Sequence, residues 1–118
     1  MAGRKVKNMV ESGKIIHGLA STGDVWIGNK QIDLSRSLAV ICKSPSGFAW
    51  GYHGSGPAQL ALAILLEVCD NEQTALRLFQ DFKRDIIAGF DTDQDLLLPV
   101  SAVTDWLKKQ REGGAEHG

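Results

Sequence analysis

The chain has 118 residues and a formal net charge of −1, with 43% hydrophobic and 23% charged residues. This length fits one globular domain of ordinary composition, and the balanced charge gives no bulk attraction to nucleic acid or to an anionic membrane. Two cysteines and three histidines without metal-ligand spacing exclude a zinc enzyme, and no apolar run is long enough to span a bilayer. We therefore expect a cytoplasmic protein that needs no cofactor.

The first half of the chain carries the patterns of β-strands. Residues 1–13 are polar, and we interpret them as a flexible leader outside the domain. Short strands are predicted around Ile15 and Ile16, at Val25–Ile27 and over residues 31–34, with turn residues between them. The apolar run of residues 38–42 predicts a strand buried on both faces. A turn at residues 44–47 and a returning strand over residues 48–52 then complete an antiparallel hairpin.

The second half of the chain is predicted to be mostly helical. Residues 57–68 are apolar on nearly every side, which predicts a buried helix. Asp70 or Asn71 caps the next helix, and Gly89 is placed to end it in a left-handed cap. Its apolar stripe comprises Ala75, Leu78, Phe79, Phe82 and Ile86. Residues 96–98 predict a last strand, and a short final helix turns Val103, Trp106 and Leu107 inward.

Together these elements predict one α+β domain over residues 14–110. A small antiparallel sheet of about four strands, built in the first half, packs against two or three helices from the second half. Residues 111–118 are predicted to form a disordered tail.

The junction of residues 51–58, between a predicted strand and the buried helix, is the main candidate site. Its three glycines let the backbone approach a ligand closely, and Pro57 suits the first helical position. Free amides of the first turn, including that of Ala58, would combine with the helix dipole to hold an anion. The predicted ligand-binding residues are Trp50, Tyr52, His53, Gly54, Ser55, Gly56, Ala58 and Lys83, with the aromatic rings stacking on a planar group. The alternative is a turn whose glycines serve packing alone.

The sequence departs from three known catalytic or metal-binding motifs: the P-loop, the nucleophile elbow and the calcium-binding loop. A P-loop NTPase is excluded, because Pro57 and Ala58 stand where its lysine and hydroxyl residue belong. Ser55 with His17 or His53 as base would make a small hydrolase, but the serine lacks both outer glycines of the nucleophile elbow. The acidic loop of residues 91–95 lacks the glycine and the glutamate of a calcium-binding loop, so no metal site is predicted.

The run from Gly47 to Ala63, GFAWGYHGSGPAQLALA, resembles the hallmark of a small bacterial, plasmid and phage family of unknown function. The hallmark is G-F-x-W-G-Y-x-G-S-G-P-A-x-L-A-L-A, and the resemblance extends from about residue 14 to residue 109. The family brings no established activity and no catalytic residues. A mobile-element setting implies a role in host interaction or in countering defence.

The function predicted from the sequence is non-enzymatic binding of an anionic or nucleotide-like small molecule at the glycine-rich turn. The first alternative is a protein-interaction or inhibitor module of a mobile element, which includes a homodimer that uses exposed aromatic or apolar surface. The second alternative is the serine-dependent hydrolase. The expected partners are thus an anionic small molecule or a protein, and neither a membrane nor nucleic acid.

Overall fold

The computed structural model describes the backbone of residues 14–117 and the side chains of residues 14–111. The predicted leader lies outside the described residues, and the domain boundaries stay predictions. The strands are β1 (Ile15–Gly18), β2 (Val25–Ile27), β3 (Lys30–Gln31) and β4 (Leu96–Pro99). The helices are α1 (Leu34–Val40), α2 (Ser55–Cys69), α3 (Glu72–Asp85) and α4 (Val100–His117), with a 3₁₀ turn at Ile87–Gly89.

The four strands form one antiparallel sheet in the order β3-β2-β1-β4. Because side chains alternate along a strand, one face of this sheet presents Ile16, Val25, Leu96 and Leu98, all of which are buried in the core. The helices supply the rest of that core. The predicted α+β class is therefore confirmed, and so are the strands at Ile15–Ile16, Val25–Ile27 and residues 96–98.

The helices α2 and α3 form the centre of the fold. Every residue of α2 from Gly56 to Leu66 is buried, as its apolar sequence predicts. The two helices are joined at Asp70, which adopts a left-handed backbone (φ 52°), and the Asn71 side chain caps α3 by accepting from the amide of Thr74 at 2.9 Å. The predicted left-handed cap at Gly89 is wrong, because α3 ends at Asp85 with Ile86 as its C-cap, and Gly89 belongs to the 3₁₀ turn.

The last helix, α4, packs against the end of α3. Val103 and Trp106 are buried, as predicted, and the Trp106 indole Nε1 donates to Asp85 Oδ2 at 2.9 Å. The helix extends through His117 and is therefore longer than the short helix that the sequence predicts. None of the helices within residues 14–117 combines the length and the apolarity that crossing a membrane requires.

The predicted hairpin over residues 38–52 is wrong. The first part of the apolar run belongs to α1, whose start is capped by the Asp33 carboxylate accepting from the Ser35 amide at 2.9 Å. The hydrogen bond from the Ser35 hydroxyl, and after it the bond from the Ser35 amide, lower the pKa of Asp33. Residues 48–52 form no strand and run as an irregular segment into α2. The fourth strand of the sheet is β4, from the second half of the chain.

A single buried side chain holds α1 and the segment after it against α2. Gln59 is fully buried, and its Oε1 accepts from the amides of Lys43 and Ser44 at 2.7 and 2.9 Å. Its Nε2 donates to the Ser37 hydroxyl at 2.9 Å and to the Ile41 carbonyl at 3.0 Å. Gln59 thus replaces the hydrogen bonds that a paired strand would have given to this part of the backbone.

Replacing Gln59 with leucine is expected to lower the free energy of unfolding by roughly 2–4 kcal/mol, because it leaves buried backbone donors and an acceptor without partners. Urea denaturation followed by circular dichroism measures the change. The matched control is Gln80→Leu, at an exposed position of α3, where the change should stay within about 0.5 kcal/mol. Equal stability of the two variants would contradict the role given to Gln59.

Candidate functional site

The glycine-rich turn is shaped by close contact with the segment that follows the 3₁₀ turn. Gly51 has φ 88°, and its amide donates to the Ile87 carbonyl at 3.1 Å. A Cβ atom at this position would lie 2.7 Å from the Phe90 carbonyl oxygen and would also collide with the Thr92 amide. Gly51 therefore serves packing between two backbone segments and is not free to approach a ligand.

Trp50 is part of the core. The side chain is only 3% exposed, and its Nε1 donates to the Gln94 carbonyl at 2.9 Å. The indole lies against Gly18 of β1, where an added Cβ would come within 2.7 Å of the ring. The prediction that Trp50 offers a ring for stacking on a ligand is therefore wrong, because the ring is buried within the protein.

The first turn of α2 offers fewer free amides than predicted. Gly54 is the N-cap, and its carbonyl accepts from the Ala58 amide at 3.1 Å, which is the first bond of the helix. The prediction that the Ala58 amide is free for a ligand is wrong for this reason. Since Pro57 has no N–H group, only the amides of Ser55 and Gly56 precede this bond.

The structure does bring several of the predicted residues together above this turn. Tyr52 is 47% exposed, and its ring lies against Gly54 while its hydroxyl lies beside Gly56. His53 and Ser55 are also exposed. Lys83 is half-buried near the end of α3, and within residues 14–111 it makes no hydrogen bond or ion pair with the turn, so its place on the rim stays a prediction.

The hydrolase alternative gains no support from the positions of the histidines. The His17 ring stacks on Trp26, with ring centroids 5.2 Å apart and an interplanar angle of 11°. Ser55 has no hydrogen bond to either candidate base among the residues that the structure describes. The hydrolase therefore stays a prediction that no geometry favours.

Sequence reasoning missed the surface formed by the side of the sheet that faces away from the helices. We call it the outer face, and its register places His17 of β1 between Trp26 of β2 and Leu97 of β4. Leu97 is 66% exposed and Ile15 is 38% exposed. The outer face comprises Ile15, His17, Trp26, Gln31, Leu97 and Pro99, none of which is an aspartate, glutamate, lysine or arginine. Successive side chains of β1 and β4 point to opposite faces of the sheet, so this alternation could have assigned Ile15, His17 and Leu97 to the outer face from the sequence.

Among the described ion pairs, those of Glu67 join different elements and those of Arg84 lie within α3. Glu67 of α2 binds Lys30 at 2.9 Å and Arg36 at 3.1 Å, which ties β3 and α1 to the helix. Arg84 binds Asp81 and Asp85, and these carboxylates, Asp85 first, raise its pKa.

Comparison with protein families identifies the relatives of the chain. A family model described as "Family of unknown function (DUF6166)" matches residues 16–109. The chain belongs to this family. Neither the search of curated proteins nor the search of solved structures returns a match.

The DUF6166 match covers the sheet, the glycine-rich turn and most of α4. It agrees with the resemblance to a family of unknown function, and its range is close to the one expected. The bacterial, plasmid or phage origin and the hallmark motif are finer statements that the match does not address.

Replacing Gly51 with alanine is expected to cost about 3 kcal/mol or more of unfolding free energy, because the added Cβ meets the backbone of Phe90 and Thr92. Gly28→Ala is the control, because Gly28 also has a positive φ (59°) but has only the flexible Lys14 side chain nearby. The control should lose about 1–2 kcal/mol, which is the cost of the left-handed backbone alone. Chemical denaturation of both variants gives the comparison, and a smaller loss for Gly51→Ala would disprove the close packing.

Proposed function

We propose that this chain is a non-enzymatic protein-interaction module that pairs with a second copy of itself. The pairing would use its outer face and the open edge of β4, which no strand within residues 14–117 covers. The observation that carries the proposal is the exposure of Leu97, which is 66% accessible in the middle of an edge strand. An apolar edge strand without charged residues tends to associate unless something covers it.

The hydrogen-bond pattern of β4 decides how that edge can be used. The Val100 amide donates to the Lys14 carbonyl, so alternate residues of β4, including Leu98 and Leu96, face β1. Leu97 and Pro99 therefore direct their backbone groups to the open edge. Because Pro99 has no N–H group, Leu97 is the residue of β4 that offers both a donor and an acceptor there.

A two-fold antiparallel pairing centred on Leu97 fits this limited edge. Each Leu97 amide would donate to the carbonyl of the other copy, which uses the available donor and acceptor once each. The two leucine side chains would meet on the outer face and remove each other from water. The same edge is too poor in donors to bind a long extended peptide.

The composition of the outer face supports an apolar partner. None of its members is an aspartate, glutamate, lysine or arginine, so two copies meet without burying an ion from any of these residue types. The stack of His17 on Trp26 adjoins Leu97 along one row of the sheet, and aromatic side chains contribute strongly to interfaces. A host-interaction or defence-countering role of a mobile element remains part of this proposal.

Cysteine cross-linking tests the proposed pairing. In a chain that carries Cys42→Ser and Cys69→Ala, the further change Leu97→Cys should give a disulfide-linked dimer under mild oxidation. The expected Cα–Cα distance in such a pair is about 5.5 Å, which suits a disulfide. Non-reducing gel electrophoresis and mass spectrometry measure the product.

Gln31→Cys in the same background is the control, because it lies on the outer face but on the opposite edge strand. It should remain monomeric on the gel. Light scattering should also show that the change Leu97→Asp, made in the wild-type chain with Cys42 and Cys69 present, shifts that chain from dimer to monomer. A monomeric parent chain at high concentration, or equal cross-linking at both positions, would rule out this pairing.

Binding of an anionic small molecule at the glycine-rich turn is a second candidate function. It is favoured by the exposed group of Tyr52, His53 and Ser55 around the first two amides of α2. The remaining amides and the helix dipole would attract a phosphate or a carboxylate.

A thermal-shift panel of inorganic phosphate and nucleotides tests this second candidate. At least one ligand should raise the melting temperature of the wild-type chain, because a ligand that binds the folded state stabilises it. Ser55→Glu should remove the effect by placing a carboxylate at the site, and Ser101→Glu, in the first turn of α4, should retain it. The candidate fails when no ligand shifts the wild-type chain or when both variants respond alike.

A further inference from the structure

A cavity of about 540 Å³ opens between the end of α2, the first half of α3 and the middle of α4. This volume lies in the range of small-molecule sites. The apolar part of its wall comes from Val68, Leu78 and Leu107, one side chain from each of these helices. We call this cavity the cationic groove, because Arg77, Lys108 and Arg111 line it.

The charged side chains that line the cavity within residues 14–111 are all of one sign. Arg77 of α3 and Lys108 and Arg111 of α4 line it, and no aspartate or glutamate among these described side chains does. This segregation occurs in a chain whose overall formal charge is −1. Ion pairs of the described side chains use Lys30, Arg36 and Arg84, all of which lie elsewhere.

Helical geometry explains why these side chains converge. Thr104, Leu107, Lys108 and Arg111 are spaced by three and four residues, so they share one face of α4. Arg77 reaches the same space from α3, about two turns before that helix ends. Thr74 and the capping residue Asn71 add polar groups near the positive end of the α3 dipole.

We infer that the cationic groove binds a small molecule that carries an anionic head group on an apolar body. Arginine side chains can hold a carboxylate, sulfonate or phosphate through two parallel hydrogen bonds. The leucine and valine side chains offer the apolar body a surface that excludes water. This inference is independent of the proposed self-association, because the groove and the outer face are formed by different residues.

Anilinonaphthalene sulfonate is a suitable probe, since it joins a sulfonate to an apolar aromatic body and becomes fluorescent when water is excluded. The wild-type chain should bind it in a saturable manner. Arg77→Ala with Arg111→Ala should weaken binding at least about tenfold, the equivalent of roughly 1.4 kcal/mol. Decanoate should displace the probe and decanol should not, because decanol lacks the charge.

Two controls separate the groove from other surfaces. Lys109→Ala removes an exposed cation of α4 outside the groove, and it should leave binding within about twofold. Leu97→Asp should also leave binding unchanged. If Lys109→Ala weakens binding as much as the arginine pair does, or if Leu97→Asp abolishes it, the inference is overturned.

The two cysteines give a second readout in the unmodified chain. Cys69 lines the groove, whereas Cys42 is exposed after α1. Burial raises the pKa of the Cys69 thiol, so its alkylation should be slow at neutral pH and faster as the pH rises and the thiolate forms. Decanoate should slow alkylation of Cys69 by about fivefold or more, measured by peptide mass spectrometry. The alkylation rate of Cys42 should not change. Binding in the groove would be contradicted if decanoate slowed both thiols equally, or if it slowed neither.

Discussion

The side chain of Gln59 imposes the constraint on which the arrangement of the first half of the chain depends. It lies in a helix that is apolar on nearly every side, and its amide group is satisfied by four hydrogen bonds to Ser37, Ile41, Lys43 and Ser44. An unsatisfied amide in this position would be costly. The backbone after α1 must therefore run where it can supply two donors and an acceptor, and it cannot pair as a strand in the sheet. The polar group selects the path of the chain, whereas the apolar residues around it supply the stabilising burial.

That path determines what the sheet can expose. Residues 41–54 run from α1 to α2 without joining the sheet, and Trp50 fills the space beside Gly18 on the inner face. The fourth strand then comes from the distant segment Leu96–Pro99, which pairs with β1 and becomes an edge. In the described part of the chain the helices cover the inner face, and Leu97 on the outer face stays accessible. β4 therefore lies at the edge because α1 and residues 41–54 do not pair with the sheet.

Much of this fold could be predicted from local patterns, because α2, α3 and the strands β1, β2 and β4 each carry a strong one. The run of residues 38–42 carried no decisive pattern, since a short apolar run fits a strand or a helix equally well. Two signals favoured the helix: Asp33 stands two residues before Ser35 in a capping position, and Gln59 in an apolar helix requires polar partners from elsewhere. The glycines of the turn were predicted either to let a ligand approach the backbone or to serve packing alone, and Gly51 packs against the backbone of Phe90 and Thr92 of the same chain.

The candidate sites differ in how far local sequence can reveal them. A glycine-rich turn is a contiguous motif, and it is therefore easily predicted as a ligand site, although much of its backbone is already hydrogen-bonded within the chain. The outer face joins Ile15 to Leu97, and the cationic groove joins Arg77 to Arg111, across long stretches of sequence. Such surfaces arise only when the topology is known, because each residue taken alone has an ordinary role as an exposed leucine or a solvated arginine. Their arrangement in space distinguishes them. One is a row of side chains without carboxylates, lysines or arginines, at a strand edge that is unpaired within residues 14–117. The other is a set of three cations beside apolar side chains, with no carboxylate among the described side chains that line the groove.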